Sequence, residues 1–140
     1  MRRNAYLVVL FAQHSYNPSE VVESGFHKSY PNSEPRHWSH TSVGWSVTFN
    51  DRDNDNGDAV AHFDIHGRHR DTYIPYDNND VPSDLREHVR NKYRGDDYEY
   101  TRIERHDGED YYRVRMRHHH SHKTFYVDEQ GNYFHHHENY

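Results

Sequence analysis

The chain has no cysteine and few apolar residues. Without cysteine, disulfide bonds, thiolate zinc sites and a cysteine nucleophile are excluded. Apolar residues make up 31 % of the 140 residues and the mean hydropathy is −1.39, values that are typical of disordered chains. However, 13 tyrosines, 6 phenylalanines and 2 tryptophans can bury the apolar area that a core needs. The length then predicts one small domain, or two repeats that share a core, and excludes a multidomain enzyme.

The chain also lacks an excess of positive charge. It has 17 lysines and arginines against 23 aspartates and glutamates, so its net charge is −6 when the histidines are neutral. This balance excludes a general electrostatic affinity for nucleic acid. Protonation of all 16 histidines would reverse the sign of the net charge, so the surface charge depends on pH near about 6.5.

No apolar run is long enough to span a bilayer, which needs about 20 residues. The longest, Ala5–Ala12, follows two arginines and has the order of a secretion signal. It also fits an ordinary N-terminal β-strand. A third alternative is an edge strand that pairs with a neighbouring subunit through Tyr6, Val8 and Leu10. Residues 1–16 are therefore predicted to be a leader or an assembly strand.

Two stretches of the chain carry apolar residues at four-residue spacing, which predicts short amphipathic helices. The first helix is predicted over about 18–30, and the second is predicted to end before Gly95. The matching positions, at an offset of 63 residues, are Val22 with Leu85, Phe26 with Val89, and Tyr30 with Tyr93. Such a match indicates an internal repeat.

After each helix the apolar period changes to two, which predicts strands with one buried face. The predicted strands are 34–40, 43–50, 58–64 and 68–74, then 97–106, 109–118, 121–127 and 132–138. The sequence thus predicts an α+β protein of two tandem α-β4 repeats, 17–76 and 77–140. The repeats form one antiparallel sheet with two helices on one face.

Six segments follow one another between Asn17 and Phe134: VVESGFHKSYP, WSVTF, HFDIHG, VPSDLREHVRNKY, YTRIERHDGEDYYRVRMR and FYVDEQGNYF. In this order they resemble the PepSY-like or β-lactamase-inhibitor-like periplasmic proteins that are common in Bacteroidetes. The resemblance implies an α+β fold of tandem α-β4 units. It also implies export to the periplasm or the extracellular space, and a binding or inhibitor-like role without catalysis.

Histidines are concentrated near the C-terminus. His118, His120 and His122 share one face if their tract is extended, and His135 and His137 can join them from a following strand. Two or three converging imidazoles suit Zn, Cu or Ni. The alternative is a solvated polar face of the sheet.

Asp51, Asp53 and Asp55 alternate before Gly57, and an oxygen-rich loop of this kind suits Ca²⁺. The glycine comes one position late for an EF-hand, and His62 stands where that motif has its bidentate acid. A plain hairpin loop explains the same residues.

The sequence has no nucleophile-elbow, zincin or P-loop motif, so we expect no enzyme. Seven tyrosines exceed the needs of a small core and are predicted on the exposed sheet face: Tyr98, Tyr100, Tyr111, Tyr112, Tyr126, Tyr133 and Tyr140. Of these, four are predicted interface residues, Tyr98, Tyr100, Tyr112 and Tyr133. Tyrosine with histidine suits a protein-binding surface. We therefore predict an exported, non-enzymatic module that binds a protein partner or like subunits, as an oligomer or filament. A periplasmic protein that binds a transition metal is the alternative, and calcium binding a further one.

Overall fold

The structure is a computed structural model and describes residues 17–51 and 56–135. Its elements in chain order are α1 (Glu20–Ser29), β1 (Pro35–Thr41), β2 (Gly44–Asn50), β3 (Asp58–Asp64), β4 (His69–Tyr76), α2 (Ser83–Lys92), β5 (Asp97–Arg105), β6 (Tyr111–His118) and β7 (Ser121–Asp128). The predicted leader or assembly strand lies outside the described residues, and so do its candidate interface residues Tyr6, Val8 and Leu10.

The seven strands form one antiparallel sheet in which each strand pairs with its neighbour in sequence. Strands β4 and β5 pair although α2 separates them in the chain, over the register from Asp71↔Arg105 to Tyr76↔Tyr100. The sheet is therefore continuous from its first strand to its last. The predicted α+β class, with one antiparallel sheet and two helices, is confirmed.

The predicted strand 132–138 is not a strand in the described part of the chain. It is joined to β7 there by a bridge between Val127 and Tyr133 and by two backbone hydrogen bonds, from the Phe134 amide to the Tyr126 carbonyl and from the Asp128 amide to the Asn132 carbonyl. The turn before it is ordered by Asp128, whose carboxylate accepts amide hydrogen bonds at 2.9 Å from the backbone two and four residues later. The chain thus turns back along β7, but residues 136–140 lie outside the described residues.

Both helices bury the residues that their spacing predicted. Helix α1 buries Val22 and Phe26, and α2 buries Leu85 and Val89. The tyrosines that follow at the next four-residue step are C-caps rather than helical residues. Their φ angles of −133° and −122° are not helical, although the amide of each still bonds the carbonyl four residues earlier. Each helix therefore ends about one residue before its predicted stop.

The core consists of two clusters on the face of the sheet that the helices cover. The first contains Val22, Phe26, Val47, Phe49, Ala59, Ala61, Phe63 and Ile74. The second contains Val81, Leu85, Val89, Tyr100, Tyr112, Val114, Met116, Phe125 and Val127. Tyr76 packs against both clusters, so the two cores are in contact at the end of β4.

A chain of polar side chains is enclosed beside the first cluster. The hydroxyl of Thr72 is completely buried and lies within hydrogen-bond distance of the Tyr30 hydroxyl and, at 2.6 Å, of the His69 Nε2 atom. Burial raises the pKa of Tyr30 to about 12 and lowers the pKa of His69 below its ordinary value of 6.5. The neutral imidazole is therefore the form that the folded protein favours.

The lowered pKa of His69 predicts a contribution to acid sensitivity. Between the folded and unfolded pKa values the unfolded chain binds the extra proton, so stability is lost as pH falls below about 6.5. We expect the free energy of unfolding of His69→Gln, which can still bond Thr72, to fall less steeply from pH 7 to pH 5 than that of the parent. Urea unfolding at stepped pH measures both slopes. Asp71, His62 and His106 are shared by both proteins, so an equal or steeper slope in the variant would contradict the prediction.

Candidate functional site

The sheet has a second face, opposite the two helices, which we call the open face. Strand residues alternate between the two faces, and the core clusters fix which residues face the helices. The open face accordingly carries the intervening residues, among them His37, Ser39, Thr48, Val60, His62, Tyr73, Pro75, Thr101, Ile103, Tyr111, Arg113, Arg115, Arg117, Thr124 and Tyr126. This face is more polar than the other.

A groove of about 730 Å³ crosses the open face from β3 to β6. Its lining includes Val60, His62, Tyr73, Pro75, Thr101 and Arg113, with carboxylates of Asp58, Asp77 and Glu99 also on its walls. A volume of this size is within the range of ligand-binding clefts. Its lining residues lie on β3 and β4, which precede α2, and on β5 and β6, which follow it. The groove therefore depends on both halves of the sheet.

Fixed side chains form the floor of this groove. The Arg113 guanidinium lies 5.4 Å from the centre of the Tyr73 ring and bonds the Thr101 hydroxyl at 3.4 Å. His62 packs edge-on against the same Tyr73 ring and donates from Nδ1 to Asp71 at 2.7 Å. The floor therefore presents an aromatic ring held between a guanidinium and an imidazole, which suits an apolar side chain flanked by polar groups.

The far end of the open face is aromatic. The Phe134 ring stacks on Tyr111 at 4.5 Å, and Tyr126 meets Tyr111 edge-on at 6.2 Å. As a result Tyr111 is almost completely buried although it faces away from the helices. The chain that follows β7 thus supplies part of this surface.

Three of the tyrosines predicted at the interface lie on the other face, so that prediction is wrong for them. Tyr100 and Tyr112 are 2 % and 1 % exposed within the second core cluster. Tyr98 packs against the same cluster, and its hydroxyl donates to the Tyr93 carbonyl. The second core includes tyrosines among its buried members, whereas the buried members of the first are aliphatic side chains and phenylalanines. Tyr133 is 60 % exposed and stays a predicted interface residue.

The sequence did not single out Tyr73 or Arg113 as open-face residues. The signal was present, since Tyr73 precedes the apolar Ile74 and Arg113 precedes the apolar Val114. In each case the apolar neighbour fixes the inward phase of the strand, so the residue before it is on the outer phase. Tyr126, one of the surplus tyrosines, does lie on the open face, opposite Arg113.

The expectation that His118, His120 and His122 share one face is wrong. The chain reverses between β6 and β7, with His119 at a positive φ of 55°, so the tract is a hairpin turn and not an extended strand. His122 pairs with Arg117 on the open face, whereas His118 follows Arg117 and has the opposite phase. The rings of His118 and His119 do come together, at 4.2 Å.

The remaining metal candidates are more dispersed. His135 is exposed beside Tyr133, and His137 lies outside the described residues. Asp51 is half-buried at the end of β2, while Asp53 and Asp55 also lie outside the described residues. Within residues 17–51 and 56–135, no group of three or more potential ligands is arranged to hold a metal ion. Calcium binding by the Asp51–Asp58 loop stays a prediction.

This dispersion predicts weak binding of Zn²⁺. Two imidazoles on one turn give an incomplete site, because tetrahedral zinc takes at least three protein ligands. We expect titration calorimetry with ZnCl₂ at pH 7.5 to show no saturable one-to-one transition, and the residual heat to decrease in His118→Ala/His119→Ala. His27→Ala, on the exposed side of α1, serves as the control. A saturable one-to-one transition that depends on His120 would contradict this expectation.

No family model matches the sequence, and no curated protein is significantly similar to it. The fold, however, is similar to those of solved Bacteroides proteins. A DUF2874 family protein from Bacteroides ovatus has a TM-score of 0.71 at 16 % identity over 84 % of each chain. A candidate periplasmic protein from Bacteroides eggerthii scores 0.72 at 11 % identity, over 85 % of this chain and 87 % of that one. A BLIP-like protein from Bacteroides fragilis scores 0.66 at 18 % identity, over 85 % and 84 %.

At these identities the comparisons show the fold alone. They support the β-lactamase-inhibitor-like architecture that the sequence resemblance implied, whereas the PepSY-like name stays a prediction. Among the described residues no helix is both long and apolar enough to cross a membrane.

Proposed function

We propose that this chain is an exported, non-enzymatic binding module whose open face binds a protein partner. The observation that carries the proposal is the groove of about 730 Å³ on the open face, with Tyr73 held between Arg113 and His62. Tyrosine and arginine are enriched where protein interfaces bind most strongly. Binding to like subunits, as an oligomer or filament, is the form of the same function in which the partner is a second copy.

Export and the non-enzymatic role are supported by the similar structures and by the sequence. One similar structure is described as a candidate periplasmic protein and another as BLIP-like, and the sequence carries no catalytic motif. Osmotic shock of cells that make the whole chain tests the export directly. We expect release of the chain while a cytosolic marker is retained.

The proposal also includes a duplicated origin for the sheet, with repeats at 17–76 and 77–140. Equivalent positions at an offset of 63 or 64 residues make equivalent contacts. A Cβ atom on Gly67, in the β3–β4 turn, would meet α1, and one on Gly131, in the turn after β7, would meet His88 of α2. Residue 88 is the counterpart of Gly25, which meets Gly67 in the same way. A groove shared by two such units would give a partner one continuous surface.

Transition-metal binding is a second candidate function, which the exposed β6–β7 turn supports. The rings of His118 and His119 lie 4.2 Å apart at the exposed β6–β7 turn, where a ligand supplied by another molecule can reach them. The zinc titration above, repeated in the presence of free imidazole, distinguishes this candidate from the first.

Site-specific photo-crosslinking tests the proposed function. The photo-reactive residue p-benzoylphenylalanine replaces Val60, which lies in the groove, or Glu87, which is exposed on α2 as the matched control. In cells that produce the chain we expect a discrete adduct from position 60 and none from position 87. The adduct should decrease when Tyr73 is also changed to alanine.

The mass of the adduct identifies the kind of partner. An adduct of twice the chain mass indicates like subunits, and any other discrete mass indicates a different protein; both support the open face as the binding surface. Equal adducts from the two positions, or none from position 60, would overturn the proposal.

A further inference from the structure

The open face of β6 carries three arginines at alternate positions, Arg113, Arg115 and Arg117, which we call the arginine row. Arg115 and Arg117 are exposed, and Arg113 is half-buried. The residues opposite the row are Thr101, Glu99 and Asp97 on β5, and Tyr126, Thr124 and His122 on β7. The row therefore runs along one strand with polar neighbours on both sides.

The arginine row forms none of the ion pairs found within residues 17–51 and 56–135. The strand and turn arginines that do bond a carboxylate are Arg36, Arg68, Arg102 and Arg105. Asp97, although opposite Arg117, accepts a hydrogen bond at 3.0 Å from the Tyr98 amide. Three cations thus lack a direct carboxylate partner among the described residues of a chain whose net charge is −6.

A second, smaller groove of about 370 Å³ lies along this row. Its lining is Glu99, Thr101, Arg113, Arg115, Thr124 and Tyr126. Two guanidinium groups and three hydroxyls can donate hydrogen bonds there, against one carboxylate that can only accept. Such an excess of donors suits an anionic ligand, and arginine binds carboxylates with two parallel hydrogen bonds.

The spacing of the row points to an extended polypeptide. Alternate residues of a strand are about 6.7 Å apart, and an extended peptide presents its own alternate side chains at the same interval. We propose that the arginine row binds an extended acidic segment of the protein partner, with aspartate or glutamate at alternate positions. This inference rests on the proposed function and names the chemistry of its partner.

A fluorescein-labelled peptide of alternating Glu and Thr residues tests the inference by fluorescence anisotropy at low salt. We expect Arg113→Gln/Arg115→Gln/Arg117→Gln to weaken binding about tenfold or more, because three arginine–carboxylate ion pairs are lost together. The matched control, Arg90→Gln/Lys92→Gln/Arg94→Gln, removes the same charge at the end of α2 and should bind as the parent does. Circular dichroism confirms that both variants are folded.

A second peptide and two polyanions test the inference further. A peptide with the same composition but its glutamates in one block should bind more weakly, since its charges do not match the row. Equal losses in the two triple variants, equal binding of the two peptides, or tighter row-dependent binding of heparin or oligothymidylate would each overturn it. The crosslink from position 60 is measured with the arginine row unchanged and requires no acidic peptide, so failure of the peptide to bind is distinguishable from failure of the proposed function.

Discussion

Replacing Phe26 with alanine is expected to destabilise the protein by about 3–5 kcal/mol. Phe26 is completely buried on α1, and its ring lies 5.2–6.2 Å from the rings of Tyr30, Trp38, Phe49 and Phe63. The substitution removes the side chain that joins the helix to β1, β2 and β3, and it leaves a cavity that aromatic neighbours fill poorly. Small domains have only about 5–15 kcal/mol of stability in total, so the loss is a large part of it. Urea unfolding measures the change.

Two controls accompany this variant. Val21→Ala changes an exposed residue of the same helix, 51 % exposed, and should alter stability by less than about 0.5 kcal/mol. Both tryptophans pack against the first core cluster, so their fluorescence reports on that part, whereas circular dichroism reports on the whole sheet. Because Tyr76 belongs to both clusters and β4 pairs with β5, we expect the two signals to change at the same urea concentration. A small effect of Phe26→Ala, or a loss equal to that of Val21→Ala, would contradict the packing described.

The helices and most strands were predictable because their local patterns agree with their burial. Val22 and Phe26 share a helical face with the correct spacing, and Val47 and Phe49 alternate with polar residues on β2. Each pattern needs only neighbours in sequence. The predicted bounds differ from those observed by a few residues at most, except at the last strand, where the pairing after β7 is limited to residues 132–134 in the described part of the chain.

The candidate site was less predictable, because it depends on which phase of each strand faces the helices. On β5 and β6, tyrosine occupies the inward phase at Tyr100 and Tyr112, and sequence alone gives a tyrosine no preferred side. With only 31 % apolar residues, the chain completes its second core with these rings. On β6 the outward phase was visible nevertheless, since Arg113, Arg115 and Arg117 alternate with Val114 and Met116.

The prediction that His118, His120 and His122 share one face is wrong for a different reason. Its imidazoles converge only if the backbone stays extended, but the β6–β7 hairpin requires a reversal within the same residues. His119 adopts the positive φ that this turn needs. Pairing of β6 with β7 over eight residue pairs favours the reversal over any local arrangement of histidines.

We expect Gly67→Ala to destabilise the protein by about 2–4 kcal/mol, because Gly67 lies where α1 packs against the sheet. Gly67 has a φ of 79°, and a Cβ atom there would lie 2.2 Å from the carbonyl oxygen of Val21 in α1. The atoms that this Cβ would meet belong to the backbone of α1, so they cannot move aside unless the helix shifts. The left-handed φ adds to this steric cost, because alanine adopts it unfavourably.

Substitutions at two other glycines distinguish the steric contribution from the contribution of the left-handed φ. Gly108 has the same φ of 79°, and a Cβ atom there would have nothing within 4 Å, so Gly108→Ala should cost about 1 kcal/mol from backbone conformation alone. Gly131→Ala would meet the ring of His88 at 2.7 Å, but that side chain is exposed and can rotate, so its cost should be intermediate. The expected order of destabilisation is Gly67, then Gly131, then Gly108. Urea unfolding measures the free energy of unfolding of each variant. If Gly67→Ala lowers it no more than Gly108→Ala does, α1 does not pack against the β3–β4 turn, and that contact does not hold the first helix on the sheet.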